Sequence, residues 1–209
     1  SLCYSYDTTD EMFVVTKPSV SRYNIPTQKD ETPAAERTAK IARSCDGDDW
    51  SGNFLNWAAM TRIDVMRHVL YGGKRYEDDT SVLATENNGR AVLEVSYLPN
   101  DVHSFSKVIP KFDATTKQPV FVPDLIHLTP DAYDNSAGIT LCTTSSSGVP
   151  VLRIVRGEFP FWSAKEGNQC NYSGLGAPNS TAQIGADLKL RVEVCASTYE
   201  LTNPRCRQY

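Results

Sequence analysis

The stretch from Trp50 to Gly73 constrains this chain more than any other, because it is the one long helical pattern in the sequence. Ser51 is the candidate N-cap, and Gly72-Gly73 supplies a left-handed stop. At about 100° per residue, Phe54, Val65, Ala58, Val69, Leu55, Met66, Ala59 and Leu70 fall on one broad apolar arc. That arc predicts one long helix facing a core. Trp57 and Met60 lie on the other side, beside Asn53, Asp64 and Arg67, so cover is expected on more than one side. Arg62 sits in the middle of the arc, where an unpaired charge is costly. Its stem is expected to be buried and its guanidinium paired, with Glu94 or backbone carbonyls as partners. Phe54, Trp57 and Arg62 are therefore the candidate structural residues.

The rest of the chain reads as short strands. Leu2–Asp7 and Met12–Val15 precede a segment broken by Pro18, Pro26 and Pro33, with a short helix expected over Ala34–Ala42. Ala91–Leu98 is a strand candidate, and Val102–Ile109 a second strand or a helical turn. Further β-rich runs are Val120–Val122, Leu125–Leu128, Ile139–Cys142 and Val151–Val155, punctuated by Pro and Gly. The cleanest strand is Leu188–Val194, with Leu188, Leu190, Val192 and Val194 on one face and Lys189, Arg191 and Glu193 on the other. The expected fold class is α+β, a long buried helix on a mainly antiparallel or mixed sheet. We divide the chain into a helix-containing region (1–112), a β-rich insertion (113–186) and a closing strand with a disulfide loop (187–209), all within a single domain.

Six cysteines without a CxxC pair fit disulfides in an oxidising compartment better than a zinc site. They allow fifteen pairings in principle. Short loop closure favours Cys195–Cys206, Cys142–Cys170 and Cys3–Cys45, each contributing about 2–4 kcal/mol. Free buried thiols are the alternative.

Composition excludes more than it identifies. At 40% hydrophobic and 22% charged the chain is of ordinary globular type. A net charge of −4 argues against a nucleic-acid partner. No apolar run reaches the length of a transmembrane helix. Beginning at Ser1 without a methionine, the sequence reads as a mature or excised piece of something longer. Asp46, Asp48 and Asp49 stop short of a calcium loop, and Asp7, Asp10 and Glu11 are read as a solvated turn. His68, His103 and His127 stand on separate segments, so no metal site and no cofactor is expected. Asp64 and His68, four apart, read as a surface pair. Ser145-Ser146-Ser147 lacks a nucleophile-elbow context, and no enzyme is expected. Phe159-Pro160-Phe161-Trp162 is either a ligand contact through Phe161 and Trp162 or, the favoured reading, a plug of the local core. Asn171-Tyr172-Ser173 and Asn179-Ser180-Thr181 fit the N-glycosylation pattern.

The block from Trp50 to Arg75 opens Trp50-Ser51-Gly52-Asn53-Phe54-Leu55-Asn56-Trp57 and closes Tyr71-Gly72-Gly73-Lys74-Arg75. It closely resembles the signature of the type IV pilus tip adhesin and pilus-biogenesis family, the PilY/PilC type. Cys3-Tyr4-Ser5-Tyr6-Asp7, Ser96–Phe105 and Lys189–Tyr209 agree with it; residues 113–185 match nothing in the family. The resemblance implies a bacterial surface protein at the pilus tip, outer-membrane-associated or extracellular. Its expected partners are pilus tip or minor pilin proteins and a host surface ligand. It also implies a von Willebrand A-like region followed by a β-propeller. This sequence has no Asp-x-Ser-x-Ser motif and no propeller blades, so metal-dependent adhesion and the propeller's calcium site are not assigned to any residue here. The long helix would be a von Willebrand A-type helix whose first strand lies outside the sequence. The expected function is pilus assembly and adhesion through protein contacts, with Trp50, Trp57 and Met60 as the docking surface unless the Lys17–Cys45 loop covers them. The alternative is a glycan- or host-ligand-binding module using the aromatic-rich insertion.

Overall fold

The computed structural model describes residues 2–18, 45, 48–78, 91–100, 106–110, 129–133, 138–165, 169–173 and 176–194. The hairpin β1 (Leu2–Asp7) and β2 (Met12–Pro18) starts a six-stranded sheet. The sheet is completed by β3 (Trp50–Ser51), β4 (Arg75–Asp78), β5 (Ala91–Glu94) and β12 (Arg191–Val194), in the order β3-β1-β2-β12-β5-β4. β12 runs parallel to β2 and antiparallel to β5, so the sheet is mixed. A four-stranded antiparallel sheet holds β7 (Lys107–Ile109), β8 (Ile139–Cys142), β10 (Val151–Arg156) and β11 (Ile184–Lys189), ordered β11-β10-β8-β7. β6 (Leu98–Pro99) and β9 (Thr144–Ser145) form a short parallel pair.

The long helix is two helices. α1 spans Gly52–Ala59 and α2 spans Arg62–Tyr71, with Met60 and Thr61 extended between them. The cause is local: the Thr61 hydroxyl accepts the Asp64 N–H, and the Asp64 carboxylate accepts the Thr61 N–H. This reciprocal cap competes with helix continuation and wins. Gly72 ends α2 at φ 82°, a left-handed position where a side chain would be strained. Ser51 takes the N-cap position of α1, but its side chain makes no cap bond.

The clean alternating strand is also divided. Its first part is β11 in the four-stranded sheet and its second part is β12 in the six-stranded sheet. Leu190 stands at the crossing, donating to the Pro150 carbonyl and accepting from the Val95 N–H. The alternation holds on both sides because the backbone stays extended while its pairing partners change. This crossing ties the two sheets around one core. Phe13 and Trp50 of the first sheet and Phe54, Ala58 and Ala59 of α1 meet Leu141, Leu152 and Ile154 of the second. Residues of the β-rich insertion thus share a core with the helix-containing region.

Cys3 is bonded to Cys45 and Cys142 to Cys170, two of the three pairings that short closure favours. Cys195 and Cys206 lie outside the described residues, as do the Ala34–Ala42 helix, the Val120–Val122 and Leu125–Leu128 strands, and Asp46, His103 and His127. The Cys142–Cys170 bond lies in a second small core with Val155 and Trp162.

Candidate functional site

The two helices bury opposite kinds of face. α1 packs Phe54, Ala58 and Ala59 into the core. Its C-terminal carbonyls at Trp57 and Ala58 accept from Lys107 Nζ at 2.6 and 2.7 Å, a cation at the negative end of the helix dipole. Lys107 also lies over the Trp57 ring. Burial lowers its ammonium pKa below the ordinary lysine value.

α2 docks through Asp64. This carboxylate is buried, and one oxygen accepts the Ser96 N–H and hydroxyl at 2.7 and 2.8 Å. Its other oxygen accepts the Thr61 N–H and hydroxyl at 2.9 and 2.7 Å. Arg67 donates to the Ser96 hydroxyl at 2.8 Å, on the same side of the helix. A buried carboxylate with four donors has its desolvation offset. The Asp64–His68 surface pair expected from spacing is therefore corrected: Asp64 is a buried anchor, and His68 is exposed.

With the polar side of α2 facing the body, its apolar side faces outward. Ile63, Val65, Met66, Val69 and Leu70 are between 50% and 77% exposed. The expected core arc is thus correct for Phe54, Ala58 and Ala59 and wrong beyond Thr61. Arg62, at the centre of that outward arc, is exposed rather than buried. Glu94, its expected partner, is buried and held instead by Lys74 at 2.6 Å and Arg191 at 3.0 Å. Arg191 in turn stacks on Tyr76, 3.6 Å from the ring centre. Beneath the helices lies a groove of about 600 Å³, lined by Leu55, Met60, Leu93, Val95, Val192 and Glu94 among others.

The remaining candidates separate cleanly. Trp50 is core, in contact with Phe13, Phe54 and Tyr133, so it leaves the expected docking surface. Its place on a paired strand, rather than on the helix, puts it inside. Trp57 is half exposed and Met60 half-buried at the helix break. Trp162 is buried, donating to the Asn171 carbonyl and packed on Tyr172, while Phe161 is exposed. Trp162 is the core plug of the favoured reading, and of the pair offered as an alternative ligand contact only Phe161 is open. Ser145 is buried and pairs with Pro99, so the serine run is not a free loop at its start. Among the described residues no three His, Cys, Asp or Glu side chains converge as metal ligands would.

The Asp64–Ser96 anchor is only half legible in the sequence. Its helical half was readable, since Thr61-x-x-Asp64 is a cap pattern inside an apolar run. Ser96, thirty-two positions away, carried no signal.

A family model described as "PilY1 homolog, small alpha/beta domain" matches residues 1–155. The chain is 27% identical over 177 residues to a protein of Xylella fastidiosa described as "Type IV pilus biogenesis factor PilY1 homolog". That alignment covers 80% of this chain and 11% of the relative. A second match with the same description and organism is 43% identical over 54 residues, covering 26% of this chain and 4% of the relative. The chain therefore spans only a small part of the length of these relatives. No solved structure matches it.

Proposed function

As a member of the PilY1 homolog family through its small alpha/beta domain, the chain works, we propose, as a non-enzymatic contact module of a type IV pilus biogenesis factor. Its task is to dock pilus proteins, the minor pilins or other tip components, and so to serve assembly and surface adhesion. The observation that carries this reading is the outward apolar face of α2. A helix anchored by a buried carboxylate, with Val69 and Leu70 more than 70% exposed, is arranged to present apolar surface rather than to fill a core. Trp57, on α1, is half exposed as well. No cofactor is assigned to the module. A von Willebrand A-type core is not part of the proposal, since β2 and β12 are the one parallel pair in the described six-stranded sheet.

Glycan binding by the insertion is the weaker reading, because Trp162 is enclosed and Phe161 alone of that pair is open. The test is Val69→Asp in the full-length protein, with piliation and surface attachment measured beside the thermal stability of the 209-residue chain. Lost piliation with an unchanged melting temperature supports the docking face. Normal piliation and attachment overturn it.

A further inference from the structure

This inference rests on the docking reading above and names the occupant of the face. Ile63, Val65, Met66, Val69 and Leu70 leave on the order of 600 Å² uncovered, at the upper end of what a monomer exposes in one patch. Two such faces pressed together would remove on the order of 1,200 Å² from water, the low end of specific interfaces. The area therefore suits pairing with an equal face, in a dimer of modest affinity.

The charge on the face fixes the orientation. Arg62 is the cation at the N-terminal end of the outward arc, and Asp64 is turned inward and satisfied. Parallel pairing would set Arg62 against Arg62. Antiparallel pairing about Met66 sets each Arg62 beside Leu70 of the other helix. There it meets the negative end of the partner's dipole. The ridge Ile63, Met66 and Leu70 follows i, i+3, i+7 spacing, the spacing that meshes along one helix side. We infer that α2 is a self-association element, on which two copies of this chain pack antiparallel, Met66 against Met66, with each Arg62 at the C-terminal end of the partner helix.

Sedimentation velocity over a concentration series of the 209-residue chain tests this directly. A concentration-dependent monomer–dimer equilibrium is expected, with dimer populated by tens of micromolar. Met66→Asp should weaken it by about thirtyfold or more, the loss typical of a central anchor, since it sets carboxylate against carboxylate at the two-fold. Arg62→Glu should weaken it by about tenfold, since an acid then meets the negative helix end. Arg62→Glu combined with Leu70→Lys should associate more tightly than Leu70→Lys alone, because only the antiparallel order places positions 62 and 70 together. These side chains are exposed, so circular dichroism should show all variants folded. A chain that stays monomeric throughout overturns the inference. A dimer insensitive to Met66→Asp, or a double variant no tighter than Leu70→Lys alone, overturns it equally. If the parent chain is monomeric while Val69→Asp still abolishes piliation, the docking face stands and its occupant is a different protein.

Discussion

α1 and α2 follow one another with only Met60 and Thr61 between them, and both carry apolar stripes. One turns its stripe inward against the core, and the other turns its stripe out. Periodicity reports that a helix has an apolar face; it does not report where that face points. Direction is decided by which side makes the better contact with the body. For α1 the better contact is apolar, with Phe54 against Trp50. For α2 the contact made is a carboxylate with four donors, two from Ser96 of the body and two from Thr61 of its own cap.

The largest test of this contrast is a pair of substitutions. Phe54→Ala in α1 should cost about 3–5 kcal/mol, the loss of a large core side chain. Leu70→Ala in α2, at the same apolar period, should change the stability of the monomer by under about 0.5 kcal/mol. Urea denaturation of dilute protein measures both. A loss above about 2 kcal/mol for Leu70→Ala would mean that the face is covered within the chain and would break the comparison.

Asp64→Ala tests the anchor itself. It strands the Ser96 donors and removes the carboxylate half of the α2 capping box, with an expected loss of about 2–4 kcal/mol. The loss should be local before it is global. Hydrogen exchange should speed first at the amides of α2, while those of α1 keep their protection.

How much of this was readable beforehand differs between the helices for the same reason. Strands at Leu2–Asp7, Ile139–Cys142 and Val151–Val155 were legible because their partners bury them in the way their composition suggests. The inward face of α1 was legible because an apolar stripe next to a core is the ordinary case. The reversal at α2 depended on Ser96, and the division of Leu188–Val194 between two sheets depended on which neighbours β11 and β12 found. Both are long-range choices, and a single strand's alternation is identical whichever sheet it joins. Trp162 shows the same limit from the other side: an aromatic run looks alike whether it closes a core or meets a ligand.

The end of α1 gives a smaller, pH-dependent test. Lys107→Met removes the cation from the Trp57 and Ala58 carbonyls and should cost about 1 kcal/mol near neutrality. The pKa of Lys107 is lowered from 10.5 by burial. Through the window below 10.5 the unfolded chain thus binds more protons at this position than the folded one, and the contribution of Lys107 rises as pH rises. The difference in melting temperature between parent and Lys107→Met should therefore change with pH across that window, and a pH-independent difference would remove the burial argument. α2 is anchored elsewhere, so its exchange protection should not follow Lys107.

The smallest expected effect is the most discriminating about orientation. Arg62 stands at the centre of the apolar arc, and a helix with that arc inward would have to bury a guanidinium. Removing a buried, paired arginine strands its partner and costs about 3–5 kcal/mol. In the outward orientation Arg62 is exposed, and Glu94 is already satisfied by Lys74 and Arg191. Arg62→Ala then removes a solvated side chain from the first turn of α2 and strands nothing. It also takes a cation away from the positive end of the helix dipole, which offsets any lost packing of the stem. The expected change is under about 0.5 kcal/mol in the dilute monomer, read from the urea midpoint at constant slope. A value several times larger would place Arg62 inside, and with it Val65, Met66 and Val69, because one rigid helix cannot turn its centre inward and leave its flanks outside.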